Sequence, residues 1–282
     1  MRKIPLSDLN FDRQELKAVS KVLKSGWLTM GKVTNKFEQR FAEFLKVKHA
    51  IAVSNCTSAL HLANLALNIG KGDEVICPSL TFVAGANSIL YTGARPVFAD
   101  ITSLDNFNIS LEDIEKKITK RTRAIQVMHY AGFPCQMKRI LEIAKKYKLG
   151  VIEDCAHALG SCQDGKMCGA IGDIGAFSFF SNKNITTGEG GMVTTNNDAL
   201  AKRIKFMRSH GMTSMTLERH LGHAFNYDVV ELGFNYRIDE LRSAIGIAQL
   251  KKLRNGNSKR KRIVGLYSKK LKDVKALKMP FY

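Results

Sequence analysis

The sequence predicts an α/β fold with a mostly parallel central sheet flanked by helices. Three observations carry this. Short apolar runs read as strands, and they alternate with segments of helical apolar spacing. No internal repeat and no Pro/Ser-rich linker interrupts the alternation. Polar clusters stand where strands end: Ser54 to Ser58, Glu153 with Asp154, and Ser181 to Lys183. In open α/β sheets ligands gather beyond the carboxyl ends of the strands, so these clusters are where chemistry is expected.

Residues 13–24 and 34–46 carry amphipathic spacing and predict two helices. Ala50 to Val53 predicts a strand. SNCTSALHLANLALNIG follows, with polar caps, a helical apolar face and Gly70 as a stop. GDEVICP predicts a turn and then a strand, 82–91 a helix, and Pro96 to Ala99 an extended segment. Ser110 and Asp113 make a capping-box-like start to the helix in SLEDIEKKI. Residues 123–128 predict a strand, 137–147 a helix, and GVIED a strand ending in acid. Phe177 to Phe180 and Met192 to Thr195 are further strands, followed by a helix over 198–208.

With 282 residues and 45% hydrophobic content, the chain can bury a sizeable core. No apolar run reaches the ~18 residues of a membrane span. The N-terminal MRKIPLSDLNFDRQ lacks the apolar centre of a signal peptide. These features lead to the expectation of a soluble cytoplasmic protein without membrane partners. The six cysteines form no CxxC pair and read as reduced, packed thiols. Cys155, His157, Cys162 and Cys168 have spacings that match no known zinc module, so no metal is expected.

The net charge of +19 raises the question of nucleic acid. The charge is concentrated, however. Residues 251–282 hold twelve Lys and Arg against one acid, Asp273, a local excess of +11. No zinc-finger, RNP-type or helix-turn-helix signature accompanies them. The expectation is a solvated helical face and no nucleic-acid partner.

Thr57 and Ser58 open a helix directly after a strand. The free N–H groups there suit an anion, and they equally suit ordinary capping. Asp154 ends an apolar strand and calls for a cationic partner, either a protonated heterocycle or a nearby Lys or Arg. His157 offers a donor to a ligand oxygen, or is a satisfied structural histidine. In FSFFSNKNITTGEGG, residues 177–191, Lys183 follows aromatics and precedes a glycine turn. It is a surface lysine at a strand end, or an amine nucleophile whose environment lowers its pKa. A phosphate cradle, a strand-end acid and a lysine are the three parts that a pyridoxal phosphate site needs. A GxSxG elbow and an evident metal cluster are both absent from the sequence.

Ordered motifs run from near residue 4 onward. They are SGWLTMG (25–31), SNCTSALHLA (54–63), GDEVICPSLTFVA (72–84), GARPVFADI (93–101), IEDCAHALG (152–160), FSFFSNKNITTGEGG (177–191), RSHGM (208–212) and NYRIDELRSAIGIAQL (235–250). In these the chain resembles the DegT/DnrJ/StrS sugar-nucleotide aminotransferases, of the type I pyridoxal-phosphate fold. The resemblance implies that Lys183 holds the cofactor as an internal aldimine and shuttles protons. It places Asp154 on the pyridine nitrogen and His157, where many relatives have glutamine, on the ring hydroxyl. Phe82 and Ala156 would face the two sides of the ring. Cys56, Thr57 and Ser178 would hold the phosphate. Asn235 would reach the neighbouring subunit's phosphate, which implies a homodimer with shared sites. Thr29 and His210 fall in segments that line the sugar-nucleotide side. Glutamate would be the amino donor, in a ping-pong cycle that aminates a nucleotide-linked, 4-keto-6-deoxy type of sugar.

Two departures follow from the same resemblance. The family usually has glycine where this chain has Cys56, so the side chain must point away from the phosphate. The chain also stops just inside what resembles the small C-terminal domain. The expected organisation is therefore a large cofactor-binding domain, 1–250, and the incomplete start of a small one, 251–282. Ile263, Leu266 and Tyr267 would then stand uncovered. The alternative is a truncated family member that binds the cofactor without turnover and serves a binding or regulatory role.

Overall fold

The computed structural model describes residues 5, 7–214, 222 and 226–281. In chain order the strands are β1 (His49–Val53), β2 (Glu74–Pro78), β3 (Arg95–Ala99), β4 (Ile101–Ser103), β5 (Asn106–Ile109), β6 (Thr122–Met128), β7 (Gly150–Asp154), β8 (Cys162–Gln163), β9 (Lys166–Met167), β10 (Ile174–Ser178) and β11 (Gly191–Thr195). The helices are α1 (Arg13–Ser25), α2 (Lys32–Leu45), α3 (Cys56–Ala66), α4 (Ala84–Leu90), α5 (Leu111–Lys117), α6 (Met137–Tyr147), α7 (Asp198–Met207) and α8 (Glu240–Leu271).

Seven strands form one sheet in the order β1-β11-β10-β7-β6-β2-β3. Strands β10, β7, β6, β2 and β3 pair in parallel, while β11 runs antiparallel to both β10 and β1. The apolar runs are buried because helices cover both faces of the sheet. On one face α3 packs Leu60, Leu62 and Ala63 against Ile51, Val53 and Ile152. On the other, Phe37 and Phe41 of α2 meet Phe177 and Phe179 in edge-on and tilted ring contacts. Parallel pairing brings the ends of β1, β2, β6, β7 and β10 to one edge, together with the start of β11.

The structure adjusts several boundaries. The aromatic strand runs from Ile174 to Ser178, three residues upstream of the sequence expectation, and Phe180 makes only an isolated bridge to Gly188. The left-handed residue after α3 is Asn68, not Gly70. Ser110 does cap α5, accepting the Asp113 N–H at 3.3 Å. The reciprocal half of the box is replaced, because the Asp113 carboxylate takes the Asp100 N–H at 2.7 Å. The short hairpins β4–β5 and β8–β9 have too few residues to show a period in sequence.

Helix α8 is a single 32-residue element, so the 250/251 boundary expected from sequence falls inside it. Asp239 caps its start, accepting the Arg242 N–H at 2.8 Å. Its first residue, Glu240, is buried and caps a different helix. The N-cap of α2 is Gly31, which has no side chain to offer. Glu240 instead accepts the N–H groups of Gly31, Val33 and Thr34 at 2.7–2.9 Å, and the Thr34 hydroxyl at 2.8 Å. Farther along, Ile263, Val264, Leu266 and Tyr267 are exposed. The chain then turns back. Lys278 pairs with Asp105 at 3.0 Å, and Phe281 stacks on Phe133 with centroids 4.1 Å apart.

Glu240→Ala leaves the N–H groups of Gly31, Val33 and Thr34 without their acceptor, two of them buried. It is expected to lower unfolding free energy by about 2–4 kcal/mol, read from the denaturant midpoint. A loss below about 0.5 kcal/mol, the range of ordinary surface changes, would exclude this capping role.

Candidate active site

At the strand-end edge lies a cavity of about 940 Å³. Its lining includes Cys56, Thr57, Phe82, Asp154, Ala156, His157, Ser178 and Lys183. Eight residues singled out in the sequence thus converge, although they come from five separate stretches of chain. Thr29, His210 and Asn235 are not among the lining residues. Thr29 is exposed between α1 and α2. His210 is exposed with left-handed φ, and its N–H donates to Phe234 O at 2.9 Å. Asn235 is exposed and bridges to Ser209.

Each wall has a local cause. Asn55 caps α3 by accepting the Ser58 N–H at 2.8 Å and its hydroxyl at 3.0 Å, leaving the first turn facing the cavity. Gly191 lets β11 approach this turn. A Cβ there would stand 2.5 Å from the Asn55 carbonyl carbon and 2.8 Å from the Cys56 nitrogen. Cys56 packs partly against the core beneath α3. Burial pushes its thiol pKa well up, with Asp154 adding to the effect and Lys183 opposing it. The thiol is therefore neutral and adds no negative charge to an anion cradle.

Asp154 is buried at the end of β7, and its Oδ1 accepts the Ala156 N–H at 3.0 Å. Burial raises its pKa, offset in part by that hydrogen bond and by the charge of Lys183. The adjacent Glu153 points to the other face, as strand alternation requires. Glu153 accepts N–H groups from Gly169, Ile171 and Gly172 at 2.6–2.9 Å and meets His129 Nε2 at 3.0 Å. His129 Nδ1 accepts the Cys135 N–H at 3.0 Å, so Nε2 carries the proton toward Glu153. Burial alone would raise the Glu153 pKa, but the His129 and backbone donors hold it below the usual range. His129, Glu153 and Cys168 come within 4.8 Å of one another. The His129 and Glu153 groups are already taken up by these hydrogen bonds, which form a buttress behind Asp154. The four residues considered from sequence for zinc do not form this cluster. Of them it contains only Cys168, while Cys162 is exposed and His157 lines the cavity.

Lys183 lies in the loop between β10 and β11 and is half-buried. Burial lowers its amine pKa below the ordinary lysine range, against the raising influence of Asp154 and Cys56. His157 is lowered by burial first and by the Lys183 charge second. The site thus joins an amine primed to lose its proton, a buried carboxylate in need of a cation, and a helix N-terminus in need of an anion. A phosphorylated, protonated pyridine aldehyde fits all three.

Further lining residues include Tyr91, Tyr130, Asn182, Glu189 and Tyr236. Tyr130 follows β6 in HYAG, and the strand-end rule could have found it. Tyr236 is invisible in one dimension, since it enters through its carbonyl, which accepts the Ser54 N–H at 2.8 Å.

Fold and site together define a type I pyridoxal-phosphate transferase. The DegT/DnrJ/EryC1/StrS aminotransferase family model matches residues 10–281. GDP-perosamine synthase of Escherichia coli O157:H7 is 44% identical over 275 residues, covering 97% of this chain and 73% of that protein. Among solved structures, Helicobacter pylori PseC, an aminotransferase of pseudoaminic acid biosynthesis, superposes with TM-score 0.89 at 37% identity, covering 96% of this chain and 71% of that one. A Streptococcus pneumoniae protein solved in its PMP form gives 0.89 at 29% identity, covering 95% and 72%. The chain belongs to the DegT/DnrJ/EryC1/StrS aminotransferase family and is a pyridoxal-phosphate-dependent sugar aminotransferase. Among the described residues no helix is long and apolar enough to cross a membrane.

In cofactor-free protein Lys183 should titrate below ordinary lysines, as read by competitive amine labelling against pH and mass spectrometry. Asp154→Asn removes the charge that raises it and should move the midpoint lower still; an upward move would contradict this electrostatic picture. Between the depressed folded pKa and the ordinary lysine value of 10.5 the unfolded chain binds more protons at this site, so its contribution to stability rises with pH there.

Proposed function

We propose that the protein transfers an amino group from glutamate to a keto group of a nucleotide-linked sugar, of 4-keto-6-deoxy type, as a cytoplasmic homodimer. The observation that carries this is the single cavity joining Lys183, Asp154 and the first turn of α3. The relatives' names support the acceptor class, since they include a GDP-linked sugar synthase and an aminotransferase of an acidic sugar pathway.

When bound, pyridoxal phosphate supplies an aldehyde and an electron-withdrawing ring. The residues here do the rest. Cys56 and Thr57 at the start of α3, with Ser178, hold the phosphate through N–H groups, hydroxyls and the helix dipole. Asp154 keeps a proton on the ring nitrogen, and the pairing relieves its own burial. His157 would hold the ring hydroxyl, and Phe82 and Ala156 would flank the ring. Lys183 would tether the aldehyde until the donor's amine takes its place. The freed Lys183 amine would carry a proton from the donor's α-carbon to the cofactor and, in the second half of the cycle, from the cofactor to the sugar carbon that receives nitrogen.

Phe82 is 70% exposed, and Val83, Tyr91 and Leu232 join it on the surface. A second copy covering these residues would bring its own Asn235 to the phosphate and place Thr29 and His210 on the sugar side. Residues 1–250 would form the large domain, and the outer half of α8 would lead into the small one.

The purified protein with pyridoxal phosphate should show a long-wavelength absorbance band that Lys183→Ala abolishes. The variant should turn over roughly 10²–10⁴-fold more slowly, the range for loss of a general acid–base group. The aminated cofactor form, offered a panel of nucleotide keto-sugars, should lose its band with the cognate one. Binding without turnover across the panel would favour a non-catalytic role instead. A band that survives in Lys183→Ala would refute the assignment.

A further inference from the structure

The loop that carries Lys183 is held from outside by the long helix. Within the loop, the Lys183 N–H donates to Phe180 O at 3.0 Å, and the Thr186 hydroxyl to Phe179 O at 3.1 Å. These bonds shape the loop without fixing it against the cavity. The next residue, Asn184, reaches outward. Its Nδ2 donates to Asn257 Oδ1 at 2.9 Å. Asn257 Nδ2 in turn donates to Leu159 O at 3.0 Å, on the segment that follows Asp154, Ala156 and His157. One amide therefore spans the two loops that supply the lysine and the ring-binding residues.

The bridge is braced and has room made for it. Arg260, one turn on from Asn257, donates through Nη1 to Asn257 Oδ1 at 3.2 Å and through Nη2 to Asn184 O at 3.4 Å. Two donors on Oδ1 fix the amide's orientation, since a flipped amide would set N–H against N–H. Gly160 has φ of +91°, and a Cβ there would lie 2.6 Å from Asn257 Nδ2. Asn257 follows Leu253, buried in the core, by four residues on the same face of α8. The bridge thus stands on a rigid base.

We propose that Asn257, oriented by Arg260, is a positioning residue that fixes the distance between the Lys183 amine and the Asp154–His157 segment. This rests on the reading of Lys183 as tether and proton carrier. A lysine stem is long and flexible, so the precision of its amine depends on where its Cα is held. Displacement of a reacting group by about 1 Å can slow a reaction by roughly 10²-fold. Asn257 touches neither the cavity nor the reacting atoms, so its effect is on rate rather than on binding.

The experiment compares Asn257→Ala and Asn257→Asp with the full chain. Asn257→Ala should lower kcat roughly 10- to 100-fold with KM for the sugar within about twofold. In cofactor-free protein it should speed amide exchange in both 181–187 and 157–161, with the sheet strands unchanged. Asn257→Asp keeps the acceptor for Asn184 and Arg260 but sets an oxygen against Leu159 O. It should loosen 157–161 while 181–187 stays protected. Unchanged exchange in both loops would overturn the proposal, as would faster exchange throughout the sheet, which is the mark of a merely structural role. Exchange is read without cofactor, so it stands apart from a failure of Lys183 as the tether, which the absorbance band reports.

Discussion

The arrangement of the site depends on one buried carboxylate that never enters it. Glu153 is fully buried between β6 and β10, with four donors converging on it. A buried charge is tolerated only when hydrogen bonds replace its water, and here three backbone N–H groups and a histidine do so. Those donors come from the turn before β10 and from the end of β6. Satisfying Glu153 therefore sets the ends of three strands relative to one another. The next residue, Asp154, inherits that placement on the opposite face.

Asp154 is the reverse case. Its carboxylate accepts a hydrogen bond from the Ala156 N–H, and burial pushes its pKa up. Side by side on one strand, one acid is satisfied by the protein and the other is left wanting a cation. The second is a stability cost retained at a functional position. Lys183 is in the same condition with opposite sign, held below its ordinary pKa by burial. Neither group fully answers the other, and a cofactor carrying a ring cation and an aldehyde would complete both.

Alternation of strand and helix was legible because covered parallel strands are apolar throughout. The ends of strands were legible as polar clusters, and so the positions of Asp154 and Lys183 were too. What one dimension does not carry is partnership across distance. Glu240 is the first residue of α8, yet its carboxylate works on α2, 206 residues away for Thr34. Asn257 reads as a poor helix former in a basic tract, yet it joins two loops of the site. The aromatic run at 177–180 misplaces its strand because burial, shared by strand and loop alike, marks Phe179 as strongly as Phe177. Thr29, His210 and Asn235 fell outside the cavity, since resemblance of a motif does not say which residues the fold brings together.

The basic excess of residues 251–282 takes on a different meaning in this fold. Lys252 is not part of a free charged face, for it pairs with Glu15 at 2.7 Å and Asp12 at 2.9 Å, anchoring α1 to α8. Lys278 is engaged with Asp105 and Arg260 with Asn184 and Asn257. Charge counted along the chain therefore overstates the charge available to a polyanion. These cations sit along an element that contacts α1, α2, the lysine loop and, through the turn at 272–281, the β4–β5 hairpin. Phe281 there stacks on Phe133 and meets Phe107, which is edge-on to Tyr130 in the cavity wall. Through Asn257 the helix bears on two walls of the cavity, the lysine loop and the segment that follows Asp154, and transmits its placement to both. Its polar contacts are best understood as fixing geometry, with the exposed outer lysines keeping the same element solvated.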